Sequence, residues 1–169
     1  MLQCVSYHLT NLTRFEGRDP QAVFLPWGMM GVQVAGFAMV LAIAPVALEV
    51  AGVASPLFGG RAWIVSTALV LLVVIALFVL MGASITRRLH DSGRSLVWAV
   101  PPALLLTLVG SLMPYSFAQM PDDGASPDGF FALMGLISVY LLSVLPLIGL
   151  LLTNGSGEPN RYGPPPTDT

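Results

Sequence analysis

The sequence predicts an all-α, polytopic membrane protein, with four transmembrane helices behind a short amphipathic helix in the membrane interface. Three observations predict it. Of 169 residues, 55% are apolar and only 9% are charged, whereas a soluble domain needs about 25% charged residues to cover its surface. Four stretches hold no Asp, Glu, Lys, Arg or His: residues 20–48, 62–86, 95–121 and 129–157. Each exceeds the about 20 residues that cross a hydrocarbon layer about 30 Å thick. The seven Lys and Arg positions are all arginine, and six of them gather in three segments near the N-terminus, in the middle of the chain and near the C-terminus.

The composition excludes a soluble enzyme, a disordered tail and a nucleic-acid-binding domain, for the formal net charge is −2 and DNA binding needs a basic excess. One cysteine, Cys4, excludes a disulfide framework within the chain and a Cys-rich metal site. We expect a single membrane domain over residues 1–169, without cofactor or metal.

The elements follow in order. Leu2, Val5, Leu9, Leu12 and Phe15 recur at intervals of three and four, one face of an amphipathic helix within the segment 1–19. Gly17 ends it, and Asp19-Pro20 reads as an N-cap with proline in the first turn. Spans are predicted near residues 23–47, 63–85, 96–113 and 130–152, with Pro101 and Pro102 in the first turns of the third. Ala38 and Ala42 are small residues four apart that permit close helix approach. Pro114–Gly129 reads as an acidic, turn-rich loop and 153–169 as a tail. The segments holding Arg14 and Arg18, then Arg87, Arg88 and Arg94, then Arg161 share one side of a four-span chain. Arg61 lies on the other side with Glu49, Asp122, Asp123 and Asp128. Basic loops resist translocation, so both termini are expected in the cytoplasm.

The densest polar run is Arg87-Arg88-Leu89-His90-Asp91-Ser92-Gly93-Arg94-Ser95. If the second span stays helical to Asp91, the carboxylate lies four residues from Arg87 and three from Arg88, within reach of either. A tight hairpin explains much of this run. Cations suit the last turn of a helix, Gly93 would terminate it, and Ser95 would cap the next. Arginines beside a head-group layer also suit an anion site, because guanidinium holds phosphate bidentately at any pH. His90, Asp91 and Ser92 are no catalytic triad, since neighbouring helical side chains point about 100° apart.

Three segments resemble the bacterial inner-membrane family catalogued as domain of unknown function 805, the YhaH-like proteins. Phe15-Glu16-Gly17-Arg18 with Phe24 is similar to its entry into span one. Arg87 to Ser95 with Trp98 is similar to its central motif. Pro146-Leu147-Ile148-Gly149 and Asn160-Arg161-Tyr162-Gly163-Pro164 are similar to its last span and tail. The resemblance implies a multi-pass protein of the bacterial inner membrane and supplies no activity.

The leading functional expectation is binding rather than catalysis. Arg18, Arg87, Arg88, His90, Asp91, Arg94, Asn160, Arg161 and Tyr162 would form a cytoplasmic cluster for an anionic lipid head group, a phosphorylated ligand or a partner protein. Gly17, Gly93, Ser95, Pro146, Gly149 and Gly163 would shape it. Asp91 would pair with Arg87 or Arg88, with Arg18, Asn160, Arg161 and Tyr162 packed against the hairpin. The membrane lipids are the expected partners, with a homo-oligomer or another membrane protein beside them. The alternative is an oligomeric pore or carrier lined by Gln33, Thr67, Ser138 and Tyr140, and behind it a membrane-embedded enzyme using His90 and Asp91.

Overall fold

The computed structural model describes residues 2–119 and 128–165. It is helical: α1 (Leu2–Thr10), α2 (Gln21–Val50), α3 (Ser55–Phe58), α4 (Ala62–Asp91), a 3-10 turn (Leu96–Ala99), α5 (Val100–Ala118) and α6 (Asp128–Leu152). Among the described residues there is no strand, only an isolated bridge between Asn160 and Gly163. Four segments are long and apolar enough to cross a membrane: Gln21–Val50, Ala62–Asp91, Leu96–Ala118 and Phe131–Leu152. Large apolar side chains face outward on them, among them Val32 at 74% and Phe37 at 69% exposure. Water would not tolerate such surfaces and lipid does, so this is a multi-pass membrane protein.

Several boundaries differ from the sequence expectation. α1 stops at Thr10 rather than running to Phe15. The Thr10 hydroxyl and the Asn11 amide donate back to the Tyr7 carbonyl, a local alternative to the helical ladder. Asp19 is not the cap of α2: the Phe24 N–H bonds the Pro20 carbonyl, which makes Pro20 the residue before the first turn. The third span begins as a 3-10 turn because Pro101 and Pro102 bring no N–H to the carbonyls of Val97 and Trp98, and Val100 bonds Val97 instead. Ser95 stands at its N-cap, but the hydroxyl makes no capping bond. Pro114 is buried inside α5, which continues to Ala118, and α6 starts at Asp128. The acidic loop is therefore shorter than Pro114–Gly129, and its centre, 120–127 with Asp122 and Asp123, lies outside the described residues.

The chain divides into two compact units, Met1–Val34 with Ala76–Pro101 and Ser143–Thr169, and Ala35–Ile75 with Pro102–Leu142. In the second, Ala42, Val70 and Val74 form a core against which Met39, Ile43, Val73 and Leu106 pack. The small face expected at Ala38 and Ala42 thus supplies one core member. Ser66 is buried and accepts the Val46 N–H at 3.1 Å, beside Pro45, whose ring leaves the helix one hydrogen bond short. Glu49 closes the turn between α2 and α4, its two oxygens accepting the N–H groups of Gly60 at 2.7 Å and Ala62 at 2.9 Å. A carboxylate at a helix start satisfies orphan donors and suits the dipole.

Close packing in this unit depends on Gly110. A Cβ there would lie 2.9 Å from Val70 Cγ1 and 3.8 Å from Val74 Cγ2. Gly110→Val should cost about 1–3 kcal/mol through overpacking, read as a lower unfolding midpoint in mixed micelles. Gly135→Ala, with nothing within 4 Å of the added carbon, should leave that midpoint unchanged or raise it.

Candidate functional site

In the other unit the end of α4 projects a run of buried polar residues. Ser84, Thr86, Arg87, Arg88 and Asp91 are all buried. α4 ends as the sequence predicts, with Gly93 at φ +73°, a conformation that costs a side-chain residue dearly. The Gly93 N–H bonds the His90 carbonyl and the Arg94 N–H bonds that of Leu89, the paired closure that finishes a helix in a left-handed residue.

Asp91 is the centre. Its Oδ1 accepts from Arg18 Nε at 3.0 Å and Nη2 at 2.9 Å, and its Oδ2 from Arg88 Nη1 at 2.5 Å. Of the two arginines in reach on its own helix, the carboxylate takes Arg88, three residues back. Arg87 turns instead to Asp19, its Nε 2.9 Å from Oδ2. Tyr7 donates to the other oxygen of Asp19 at 2.9 Å. Three arginines thus meet two carboxylates, and backbone carbonyls take up the remaining N–H groups. Arg88 donates to Leu151 and Thr153, where α6 ends in carbonyls without helical partners. Arg18 donates to the carbonyls of Ser156, Glu158 and Gly163. Arg87 donates to those of Asn11 and Arg14. Every guanidinium nitrogen of Arg18, Arg87 and Arg88 has a protein acceptor. The clasp joins the N-terminal segment, the α4 hairpin and the tail.

The tail is fitted to this centre. The Ser156 N–H donates to the Asp91 carbonyl at 2.9 Å. A Cβ on Gly155 would come within 2.0 Å of Asp91 Oδ2, so the position has no room for a side chain. Asn160 donates to the His90 carbonyl at 3.0 Å and exchanges backbone bonds with Gly163. Tyr162 stacks on His90, with centroids 3.7 Å apart and planes 8° from parallel. Arg161 lies over the Tyr162 ring at 4.7 Å and donates to the Gly93 carbonyl at 3.4 Å. Arg94 lies over Trp98 at 5.9 Å. Ser92 returns its hydroxyl to the Leu89 carbonyl, so His90, Asp91 and Ser92 engage separate partners. Gly17 is a turn residue before Arg18, at φ +94°. Pro146 and Gly149 lie within α6 and are exposed.

Three members of the clasp are missing from the site expected by sequence: Tyr7, His8 and Asp19. α1 docks through Cys4 and His8, and of the apolar stripe Val5 and Leu12 are half-buried while Leu9 and Phe15 are each 49% exposed. His8 Nε2 donates to the Val23 carbonyl at 3.2 Å, which also accepts from Cys4 Sγ. Its Nδ1 then accepts from Arg87 Nη2 at 3.3 Å, the ring stacks on Trp27, and Asp19 Oδ2 lies 3.8 Å away. Adjacency of Asp19 to Arg18 was the one available signal. Spacing carries none for His8, because its partners are long-range.

Asp91→Asn should cost about 3–5 kcal/mol, since two buried guanidiniums would face a neutral amide, and Gly155→Ala should destabilise through the clash. Both are read by equilibrium unfolding. Burial, the largest effect, holds the His8 imidazole below its ordinary pKa of 6.5, with the Arg87 charge adding to it and the Val23 carbonyl and Asp19 opposing. The unfolded chain therefore takes the proton first. The stabilisation is complete above pH 6.5 and fades as the pH falls through the native value. Hydrogen-exchange protection of α1 should drop on acidification, and His8→Phe should remove that pH dependence.

No curated protein and no solved structure matches the chain. The family model described as "Protein of unknown function (DUF805)" matches residues 12–164, which take in Arg18, Asp19, the α4 hairpin and the described tail to Pro164 but not Tyr7 and His8. The chain belongs to this family.

Proposed function

We propose that the protein is a binding protein of the bacterial inner membrane, with both termini in the cytoplasm and anionic lipid head groups held at the rim of the clasp. One observation carries this reading. Arg94 and Arg161 are exposed, each lies over an aromatic ring, and Arg161 reaches the carbonyl of Gly93, the residue before Arg94. Two cations at one corner, with no ion pair to a carboxylate among the described residues, call for an anion from outside. Arg–aromatic pairs suit a head-group layer, where one end of the ring is apolar and the other wet. Arg14, also exposed, adds to the same charge.

The division of labour differs from that expected by sequence. Arg18, Arg87 and Arg88 are buried and bonded, so they build the platform and leave the ligand to Arg94 and Arg161. The six arginines on this side also outnumber the single Arg61 elsewhere, which supports the cytoplasmic orientation. With that orientation, the outward Leu9 and Phe15 of the N-terminal segment suit the interface of the same leaflet.

Native mass spectrometry of the detergent-extracted protein with added phosphatidylglycerol tests the reading. Each exposed arginine near an anionic surface contributes about 1 kcal/mol, or about fivefold in retention. Arg94→Gln with Arg161→Gln should therefore release the lipid, while Arg87→Gln should chiefly lower the unfolding midpoint. Competition by inorganic phosphate would point to a free phosphorylated ligand at the same corner. Unchanged retention in the Arg94 and Arg161 variant would refute the assignment.

A further inference from the structure

We propose that two copies of the chain associate side by side in the bilayer through the face of α2 that carries Gln33. The uncharged part of this segment runs from Pro20 to Leu48. Gln33 stands one residue from its middle, the depth at which hydrocarbon offers an amide no partner. The side chain is exposed, and among the described residues nothing hydrogen-bonds to it. Several other polar groups of the spans are satisfied within the chain, and Trp27 Nε1, Thr67 Oγ1 and Ser84 Oγ, which have no partner among the described residues, are buried in the protein rather than open to lipid. Thr107 and Ser138 donate to the carbonyls of Ala103 and Met134, and Ser66 accepts from Val46. The Gln33 amide has a donor and an acceptor left to fill.

A second copy is the occupant that meets these demands together. A parallel copy related by a two-fold axis along the membrane normal brings its own Gln33 to the same depth. Two facing amides then donate and accept reciprocally. A lipid has no polar group at that depth, and an unrelated span would need a matching one. Helical spacing extends the face along α2. Met29 and Phe37 lie four residues to either side and Val40 seven beyond, at 63%, 69% and 68% exposure. Gly36 is exposed on the same face, with nothing within 4 Å of an added Cβ. A bare backbone there lets two helix axes come close, which favours association in lipid.

The test uses the full chain reconstituted in phosphatidylcholine vesicles, so that anionic head groups play no part, with energy transfer between labelled copies as the readout. Wild-type protein should associate reversibly with dilution in lipid. Gln33→Leu should weaken association about three- to fifteen-fold, the range of interhelical hydrogen bonds in membranes, and Gln33→Asn should retain most of it. In a Cys4→Ser background, Phe37→Cys should form an oxidative cross-link between copies, and Val34→Cys, which projects about 100° around the helix, should not. Protein that stays monomeric at every protein-to-lipid ratio, or a Gln33→Leu variant that associates as tightly as wild type, would overturn the proposal. Equal cross-linking at both cysteine positions would do the same.

Discussion

A carboxylate shared between two guanidiniums holds the polar end of this protein together. Asp91 comes from α4, Arg88 from the turn before it, and Arg18 from a segment far away in sequence. All three are buried. Taking such charges out of water costs several kcal/mol per ion unless the geometry returns it. Here it does, since both carboxylate oxygens and each guanidinium nitrogen are bonded. In lipid the apolar faces of helices gain little from meeting one another, because the tails are as apolar as leucine. Directional polar contacts therefore settle which segments meet at this end.

The choice of cation follows from the same constraint. The chain has seven arginines and no lysine. A lysine ammonium is a point charge with three donors, whereas the arginine fork spreads five donors over a plane. Arg18 uses that breadth to hold Asp91 and three tail carbonyls at once. Arg87 reaches a carboxylate, two carbonyls and an imidazole nitrogen. An ammonium, with its three donors on a single nitrogen, could not span these acceptors and would orphan some of them.

The fold was largely legible because span length and charge exclusion are properties of contiguous sequence. The hairpin was legible too, for Gly93 and the flanking arginines act within one turn. The start of α2 differs from the sequence reading because a long-range bond outweighs a local preference. Asp19 has the chemistry of a helix cap but spends its oxygens on Arg87 and Tyr7. The apolar stripe of the first helix is real, yet only part of it is buried, and His8 docks the helix as well. The pairing of Asp91 illustrates the same limit. Spacing offered Arg87 and Arg88 equally, and only the position of Asp19 on a separate segment decides between them.

The unequal charge count explains the composition of the tail. Arg87 and Asp19 balance each other, with Tyr7 and the neutral His8 completing that half of the clasp. Around Asp91 one carboxylate faces two guanidiniums, which leaves an excess positive charge. That excess sits where carbonyl dipoles converge, at the end of α6 and along residues 153–163. A helix C-terminus carries a partial negative charge, and free carbonyls extend it. Backbone does the work of a second carboxylate, so the tail must bend repeatedly to turn its oxygens inward while leaving space beside Asp91. Glycine and proline suit those bends, and Gly155 leaves that space. The lack of helix and strand over the described tail residues 153–165 is thus the form required of a chain that serves as a multidentate acceptor.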